Sequence, residues 1–208
     1  MRIVVFGAAG RTGKLVVDKA LGHGHDVVAI IRSTPLALTN SRLECTTADV
    51  RDFDAVSAAI SGAHGVAFAI SQGSGMGKDV HEAGIANVIH AMAEHQVSKL
   101  AAMSAAGTFD RGSKRLSLTY RALAATALRP VYDDLEAMER RIMASDLDWT
   151  IIRPYGLTDG PATGDYRVSL EGALLPKAAR ISRADVASVI VKAIETGAYR
   201  RRAIVIAE

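Results

Sequence analysis

The feature that most constrains the fold is a glycine-rich turn near the N-terminus, Gly7-Ala8-Ala9-Gly10-Arg11-Thr12-Gly13. It follows an apolar run, Ile3 to Phe6, and precedes a stretch with helical spacing, Arg11 to Leu21. In such a turn the first glycine permits a tight bend, the second lets the backbone approach a pyrophosphate, and the third allows close helix packing. The helix N-terminus adds free N–H groups and a positive dipole end. The pattern predicts a dinucleotide site; the alternative is an ordinary strand-to-helix turn.

Apolar, β-forming runs alternate with helical patterns along the rest of the chain. Strands separated by helices indicate a parallel sheet with right-handed crossovers. Residues 1–208 are therefore predicted to form one doubly wound α/β domain, a Rossmann fold, in which residues 156–182 form a small substrate-side lobe. The predicted strands are 3–6, 27–31, 43–47, 65–70, 99–103, 149–153 and 203–206, with a further short candidate at 166–170. The predicted helices are 11–21, 52–60, 79–95, 120–128, 131–145 and 183–196.

The charge pattern and the lack of long apolar runs argue against two classes of partner. The net charge is +3, and the basic residues are scattered, whereas a nucleic-acid binder would carry a basic stripe or a recognisable reading module. No run of about 18 apolar residues occurs, so no membrane span is expected, and the apolar run at 3–6 is too short for a signal sequence. We expect a cytoplasmic monomer or homodimer whose partner is a small molecule.

The number of cysteines and the spacing of the histidines do not predict a metal site. Cys45 is the one cysteine, so no internal disulfide can form, and we expect it to be a small buried apolar residue. His23 and His25 flank Gly24 in a loop, and no histidine pair has the i, i+4 spacing of a helical metal site. No metal ligand is therefore predicted.

The tip of the second predicted strand distinguishes NAD from NADP. An acidic residue there binds the ribose 2′-hydroxyl of NAD, whereas an arginine accommodates the 2′-phosphate of NADP. The sequence there is Ile31-Arg32-Ser33, with no acidic residue, and a planar guanidinium can donate two hydrogen bonds to a phosphate. Arg11 is a second candidate for the same phosphate, and the alternative for Arg32 is a surface arginine at a strand end. We predict NADP(H) as cofactor, held at Gly7, Ala9, Gly10, Arg11, Thr12, Gly13, Arg32 and Ser33.

The sequence resembles the short, atypical members of the short-chain dehydrogenase/reductase superfamily, in particular NAD(P)H-binding proteins similar to flavin reductase and biliverdin reductase B. The resemblance covers nearly the whole chain. It rests on the glycine turn, Arg32, Ala48 to Val50, Met103 to Ala106, Ser145 to Pro154 and Ile181 to Ala187. It implies that Asp49 and Val50 lie against the adenine, Ala69, Ile70 and Ser71 line the ribose, Ser104 lies near the nicotinamide, and Pro154, Tyr155 and Gly156 close over it.

One departure from the superfamily pattern bears on the chemistry. Typical members carry a Tyr-x-x-x-Lys pair, in which the lysine lowers the tyrosine pKa so that the tyrosine can donate a proton. Here Tyr132 is followed four residues later by Glu136, and Tyr120 also lacks the lysine. Because a negative neighbour raises a tyrosine pKa, ordinary alcohol or ketone chemistry through Tyr132 is not expected.

Hydride transfer to a conjugated acceptor needs less from the protein, because the acceptor itself spreads the arriving charge and the cofactor carries the chemistry. We therefore predict an NADPH-dependent reductase of a flavin-, quinone- or tetrapyrrole-like acceptor, with Ser104 and Tyr155 as catalytic candidates. The alternatives are a strand-end serine that satisfies local backbone and a tyrosine that packs under the 156–182 segment. Two other functions stay open: a non-catalytic NADP(H)-binding sensor, and an NADP-dependent isomerase or epimerase of a small metabolite.

Overall fold

The computed structural model describes residues 1–71, 79–114, 118–178 and 180–208. The side chain of Tyr120 lies outside the described part. The strands are β1 (Arg2–Phe6), β2 (Asp26–Ile31), β3 (Leu43–Thr47), β4 (Gly65–Phe68), β5 (Lys99–Met103), β6 (Asp148–Pro154), β7 (Gly156–Thr158), β8 (Arg167–Ser169), β9 (Arg180–Ser182) and β10 (Arg202–Ala207). The helices are α1 (Arg11–Gly22), α2 (Phe53–Ile60), α3 (Val80–Glu94), α4 (Leu118–Ala125), α5 (Arg129–Ala144) and α6 (Arg183–Thr196).

The main sheet has eight strands in the order β3-β2-β1-β4-β5-β6-β10-β8. Seven of them pair in parallel, as predicted, but β8 pairs antiparallel with β10 at the edge. β7 and β9 form a separate two-stranded sheet that the sequence pattern does not predict, because three residues are too few to show a strand periodicity. The strand order reverses on either side of β1, and in doubly wound sheets a ligand crevice opens at such a point, outside the carboxyl ends of the strands.

Both faces of the sheet are buried, which explains the uninterrupted apolar runs of its strands. Successive residues of β1 point to opposite faces. Val4 and Phe6 belong to the core under α2, α3 and α5, while Ile3 and Val5 belong to the core under α1 and α6. The helices thus enclose the sheet in the three-layer arrangement that the sequence predicts.

Helix ends follow the local sequence in two instructive places. α6 begins at a capping serine, since Ser182 Oγ accepts a hydrogen bond from the backbone N–H of Asp185, and Gly197 closes the helix in a left-handed conformation. The second helix of the predicted pair 120–128 and 131–145 begins earlier than predicted. α5 starts at Arg129 with Pro130 in its first turn, where the missing N–H costs nothing, and the break after α4 falls at residues 126–128.

Cys45 corrects one prediction. It is exposed, not buried, because β3 is the edge strand of the sheet and its residues are only partly covered. Within the described ranges, no helix combines the length and the apolar character that a membrane crossing requires.

Candidate functional site

The glycine turn between β1 and α1 is built so that larger residues do not fit at two of its positions. Gly7 has φ +81°, and a Cβ there would lie 2.6 Å from the carbonyl oxygen of Ala69, just beyond β4. A Cβ on Gly13 would lie 2.0 Å from the carbonyl oxygen of Gly7. The turn therefore brings α1 and the end of β4 closer to β1 than any side chain allows.

The N-terminus of α1 presents open backbone donors beside this turn. Gly10 is the N-cap and offers no side chain to the helix, and the first helical hydrogen bond runs from the N–H of Lys14 to the carbonyl of Gly10, 2.9 Å. Within the described chain, the N–H groups of Arg11, Thr12 and Gly13 have no partner. Open N–H groups together with the helix dipole make an anion site.

A cavity of about 310 Å³ opens next to the turn, at the carboxyl ends of β1, β2 and β4. Its size suits part of a dinucleotide or another small ligand. Of the predicted cofactor contacts, it is lined by Gly7, Ala9, Gly10, Arg32, Ser33, Asp49, Val50, Ile70 and Ser71. It is also lined by residues that were not predicted as cofactor contacts: Phe6, Ile30, Ile31, Thr34, Ala48, Arg51 and Val80.

Two arginines at the cavity have different surroundings. Arg51 forms a two-point ion pair with Asp49, with its Nε 3.1 Å from Oδ1 and its Nη2 2.9 Å from Oδ2. Hydrogen bonds from the side chain and backbone of Arg51 lower the pKa of Asp49 to about 2. Arg32 is exposed and has no hydrogen bond or ion pair with any described residue. Its positive charge is therefore the one at this cavity that no protein carboxylate contacts within the described chain.

Eight predicted cofactor residues lie outside the cavity lining. Four of them, Ser104, Pro154, Tyr155 and Gly156, lie just past β5 and around the end of β6 and are described below. Thr12 and Ala69 are buried, and Gly13 packs against the turn as described. Arg11 is exposed, and its Nη1 lies 3.4 Å from Asp159 Oδ2; Arg183 binds the other oxygen of Asp159 at 2.6 Å. The model does not bring Arg11 together with Arg32, but directs it to the segment that follows β7.

A buried histidine–aspartate pair supports the cavity wall from behind. His81 Nδ1 lies 2.7 Å from Asp134 Oδ2, and its Nε2 lies 3.3 Å from the carbonyl oxygen of Ile70, a lining residue. Asp134, on α5, also accepts the backbone N–H groups of His81 and Glu82 in the first turn of α3. Sequence reasoning missed this pair, because its members are 53 residues apart and no local pattern connects them.

Ser104 lies just past β5, at the end of a buried polar chain. Its hydroxyl donates to Glu139 Oε1 at 2.5 Å, and its Oγ lies 3.2 Å from Thr108 Oγ1. Thr108 in turn donates to the carbonyl of Ala105 at 2.6 Å. Glu139, fully buried on α5, binds the guanidinium of Arg153 on β6 through both carboxylate oxygens. Arg153 lies inside the Ser145 to Pro154 motif, but its pairing with Glu139 is not predictable from the sequence, because the two residues lie on different elements.

Backbone hydrogen bonds continue between the β5 and β6 chain segments past the end of β5. The N–H of Ser104 donates to the carbonyl of Ile152 at 2.7 Å, and that of Ala106 donates to Pro154 at 2.9 Å. This join places Ser104 beside Pro154, Tyr155 and Gly156, the set that the sequence assigned to the nicotinamide. Pro154 is buried and Gly156 is exposed.

The two described tyrosines of this region both donate to backbone carbonyls. The hydroxyl of Tyr155 lies 3.1 Å from the carbonyl oxygen of Leu175, and its ring packs with Ala106, Leu174 and Val205. The hydroxyl of Tyr132 lies 3.2 Å from the carbonyl oxygen of Ala106. A catalytic role for Tyr155 stays a prediction.

The segment beyond β7 is anchored to α6 by Asp185. Its carboxylate accepts hydrogen bonds from the backbone N–H groups of Thr163 and Gly164 and from the hydroxyls of Thr163 and Ser182, at 2.7–3.1 Å. Burial raises the pKa of Asp185, but these hydrogen bonds outweigh it, so the net pKa is lowered. An ionised carboxylate thus fastens the loop that follows β7 to the start of α6.

The sequence profile of the NAD(P)H-binding family matches residues 7–197, from the first glycine of the turn to the residue that closes α6. The chain belongs to this NAD(P)H-binding family. The site therefore belongs to a nucleotide-binding fold, and the carboxyl edge of its sheet is the place where such folds bind the cofactor.

Two relatives of this family member are similar in sequence. The uncharacterized protein Rv2047c of Mycobacterium tuberculosis is 39% identical over 94 residues, which are 45% of this chain and 11% of that protein. The chain thus spans about a tenth of the length of that relative. The uncharacterized sugar epimerase YhfK of Bacillus subtilis is 26% identical over 98% of this chain and 92% of its own.

Two solved structures share the fold of this family member over its full length. A candidate NADH-flavin reductase of Streptococcus pneumoniae, SP1627, superposes with a TM-score of 0.80 at 21% identity and covers 99% of that chain. A short-chain dehydrogenase/reductase of Veillonella parvula, solved in complex with NADP, superposes with a TM-score of 0.80 at 18% identity and covers 94% of that chain. At these identities the likeness is one of fold.

Proposed function

We propose that this protein is an NADPH-dependent reductase that passes hydride to a conjugated acceptor of the flavin, quinone or tetrapyrrole class. The observation that carries the proposal is that the hydroxyl groups at the predicted substrate end already donate hydrogen bonds to other groups of the protein. Ser104 donates to Glu139, Tyr155 to Leu175 and Tyr132 to Ala106. A site whose hydroxyl protons are held by the protein suits an acceptor that needs no proton at the moment of hydride transfer.

The cavity supports NADPH rather than NADH as the reductant. Arg32 is the exposed cation at the tip of β2, where the 2′-phosphate of NADP is expected. Within the described chain it forms no ion pair, and its charge acts on Asp49 only as a smaller contribution beside that of Arg51. The open N–H groups at the start of α1 would hold the pyrophosphate. The NADP complex of the Veillonella protein agrees with NADP as a ligand of this fold. The name of the Streptococcus structure, an NADH-flavin reductase, agrees with the acceptor class but names the other reductant.

Ser104 has a restricted role in this scheme. When bound, NADPH supplies the hydride. Because the Ser104 proton lies toward Glu139 and that of Thr108 toward Ala105, the lone pairs of Ser104 Oγ remain to accept an N–H group of the cofactor or the acceptor. Ser104 is thus a positioning and accepting group, and the proton that completes the reduction comes from solvent.

The test is oxidation of NADPH and NADH followed by absorbance, with FMN, riboflavin, biliverdin and small quinones as acceptors. We expect saturable turnover with at least one of them, faster for NADPH. Ser104→Ala should lower kcat about 10-fold through loss of one or two hydrogen bonds, whereas Ser188→Ala, on the far side in α6, should not change it. Absence of turnover with every acceptor, in samples shown to bind NADPH, would overturn the reductase and favour a sensor.

An epimerase of a small metabolite is the second candidate, because the Bacillus subtilis relative that matches nearly the whole chain carries the name of a sugar epimerase. Such an enzyme would retain NADP through purification and would show no net consumption of reduced cofactor. Mass spectrometry of the nucleotide released on denaturation, combined with the absorbance assay, separates the two functions.

A further inference from the structure

A cluster of two histidines and one glutamate lies at the edge of the sheet opposite the cavity. His23 and His25 are in the loop between α1 and the start of β2, and Glu195 is in the last turn of α6. The cavity is formed at the carboxyl end of β2, whereas this loop precedes its amino end. The cluster is therefore separate from the site described above, and the argument for it does not depend on the proposed function.

Both imidazoles converge on the same carboxylate oxygen. His23 Nδ1 lies 2.7 Å from Glu195 Oε1, and His25 Nε2 lies 2.6 Å from it. The rings are 6.4 Å apart between centroids and meet edge to face. Among the described residues this is the one group of three His, Cys, Asp or Glu side chains whose ligand atoms all lie within 4.8 Å of one another.

We propose that His23, His25 and Glu195 bind a divalent transition-metal ion of the zinc class. Two imidazole nitrogens and one carboxylate oxygen are a donor set that Zn²⁺ accepts, with a fourth position left to water. The ion would take the place of the protons that now lie between each ring and the shared oxygen. All three donors are imidazole nitrogens or a carboxylate oxygen, which transition metals bind well.

The required movement is small. Zn²⁺ binds such donors at about 2.0–2.2 Å, which separates donor atoms of a tetrahedral site by about 3.3 Å. The two nitrogen–oxygen contacts must therefore lengthen by about 0.6 Å from their present values. His23 is the exposed member of the trio, so its ring has room to turn and water can reach the open position.

The negative charge of Glu195 favours a bound cation, and two neighbouring positive groups oppose it. Burial raises the pKa of Glu195, but hydrogen bonds from His25 and His23 outweigh it, so the net pKa is lowered and the carboxylate is ionised. The opposing groups are the ammonium of Lys99, 3.4 Å from the backbone oxygen of Glu195, and the amino group of Met1, 3.4 Å from His25 Nδ1. A bound ion also requires neutral imidazoles, because a ring nitrogen that carries a proton cannot be a ligand.

The ion would act on stability rather than on chemistry. His23 and His25 follow α1, and Glu195 ends α6, two helices on the same face of the sheet. Because a ligand that binds only the folded state raises its stability, zinc bound here would join the ends of these helices and raise the melting temperature.

Zinc titration of the full chain by calorimetry, with the melting temperature read in parallel, tests the site. We expect one ion per chain, a higher melting temperature with zinc, and at least a 10-fold loss of affinity in His23→Ala and in Glu195→Gln. His90→Ala is the matched control, since His90 and Glu94 form an exposed histidine–glutamate contact at 3.6 Å without a third ligand; it should bind zinc like the wild type.

The outcomes separate cleanly. His23 is exposed, so its variant should fold, and circular dichroism would verify this for each variant. Absence of one-to-one binding, or equal binding by the wild type and both site variants, would overturn the proposal. Zinc that competes with NADPH would also overturn it, because it would place the ion in the cavity. Failure of the reductase assay would leave these results unaffected.

Discussion

The two halves of the carboxyl edge of the sheet use their polar side chains in opposite ways. At the cavity beside β1 and β2, Arg32 and the first N–H groups of α1 are open within the described chain. Past β5 and β6, the buried carboxylate of Glu139 binds both the buried hydroxyl of Ser104 and the largely covered guanidinium of Arg153. The first half is prepared to receive an anionic ligand. The second half holds its shape with internal bonds, and so suits a substrate that brings its own reactivity.

The largest expected difference between the two halves is the loss of unfolding free energy when one ion pair is broken in each. Glu139→Ala leaves the guanidinium of Arg153, only 11% exposed, without its carboxylate, and should lower the free energy of unfolding by about 3–5 kcal/mol. Asp49→Asn, which breaks the exposed pair with Arg51 in the cavity half, should cost less than about 1 kcal/mol. Urea denaturation measures both, and equal costs would remove the distinction between the halves.

Charge reversal at Arg32 probes the open half directly. Arg32→Glu should raise the Kd of NADPH about 100-fold, because it removes charge-assisted hydrogen bonds to the 2′-phosphate and adds repulsion. The Kd of NADH should change much less. Fluorescence titration gives both values, and Lys192→Glu, an exposed charge on α6, serves as the control. Equal losses for the two cofactors would contradict the phosphate assignment.

The carboxylate of Asp185, which fastens the loop after β7 to α6, gives the stability of the protein a pH dependence. Because hydrogen bonds lower its folded-state pKa, its contribution to stability is present above the unfolded-state pKa, about 3.9, and is lost as the pH falls through the lower folded value. Asp185→Asn should cost about 1–3 kcal/mol at pH 7 and flatten this acid dependence. Unfolding measured from pH 7 to pH 3 checks it; an unchanged slope in the variant would argue against the role of Asp185.

The smallest expected effect concerns Tyr155. Tyr155→Phe removes one hydrogen bond to the carbonyl of Leu175 and should cost about 1 kcal/mol of stability while leaving kcat within a few-fold of the wild type. A general acid would contribute about 100-fold or more. Steady-state kinetics with the best acceptor therefore decides between packing and catalysis, and a 100-fold fall in kcat would place a proton donor in the closed half.

The features that could be predicted are those determined by residues close together in the sequence. Three features depend only on neighbours within a few residues: the glycine turn, the apolar strands and the arginine at the tip of β2. Each lies where it was predicted. Arg51 also lines the cavity but was missed, although it directly follows Asp49 and Val50, because its position says nothing about which way the side chain points.

The features that the sequence concealed depend on contacts between distant segments. Glu139 and Arg153 lie on different elements, and His23, His25 and Glu195 meet across about 170 residues. The exposure of Cys45 and the antiparallel pairing of β8 both follow from which strands lie at the edges of the sheet. Strand order is a property of the whole chain, so no local pattern encodes it.

The position of β10 in the sheet has a consequence for biosynthesis. β10 lies between β6 and β8 and pairs with both, so a strand from the far end of the chain is an interior strand. While the nascent chain is still attached to the ribosome, β6 can pair with β5 but keeps its other edge open until residues 202–207 have left the exit tunnel. An open strand edge is a template for association with other chains. Until β10 pairs with it, the edge of β6 is therefore open to association with strands of other chains.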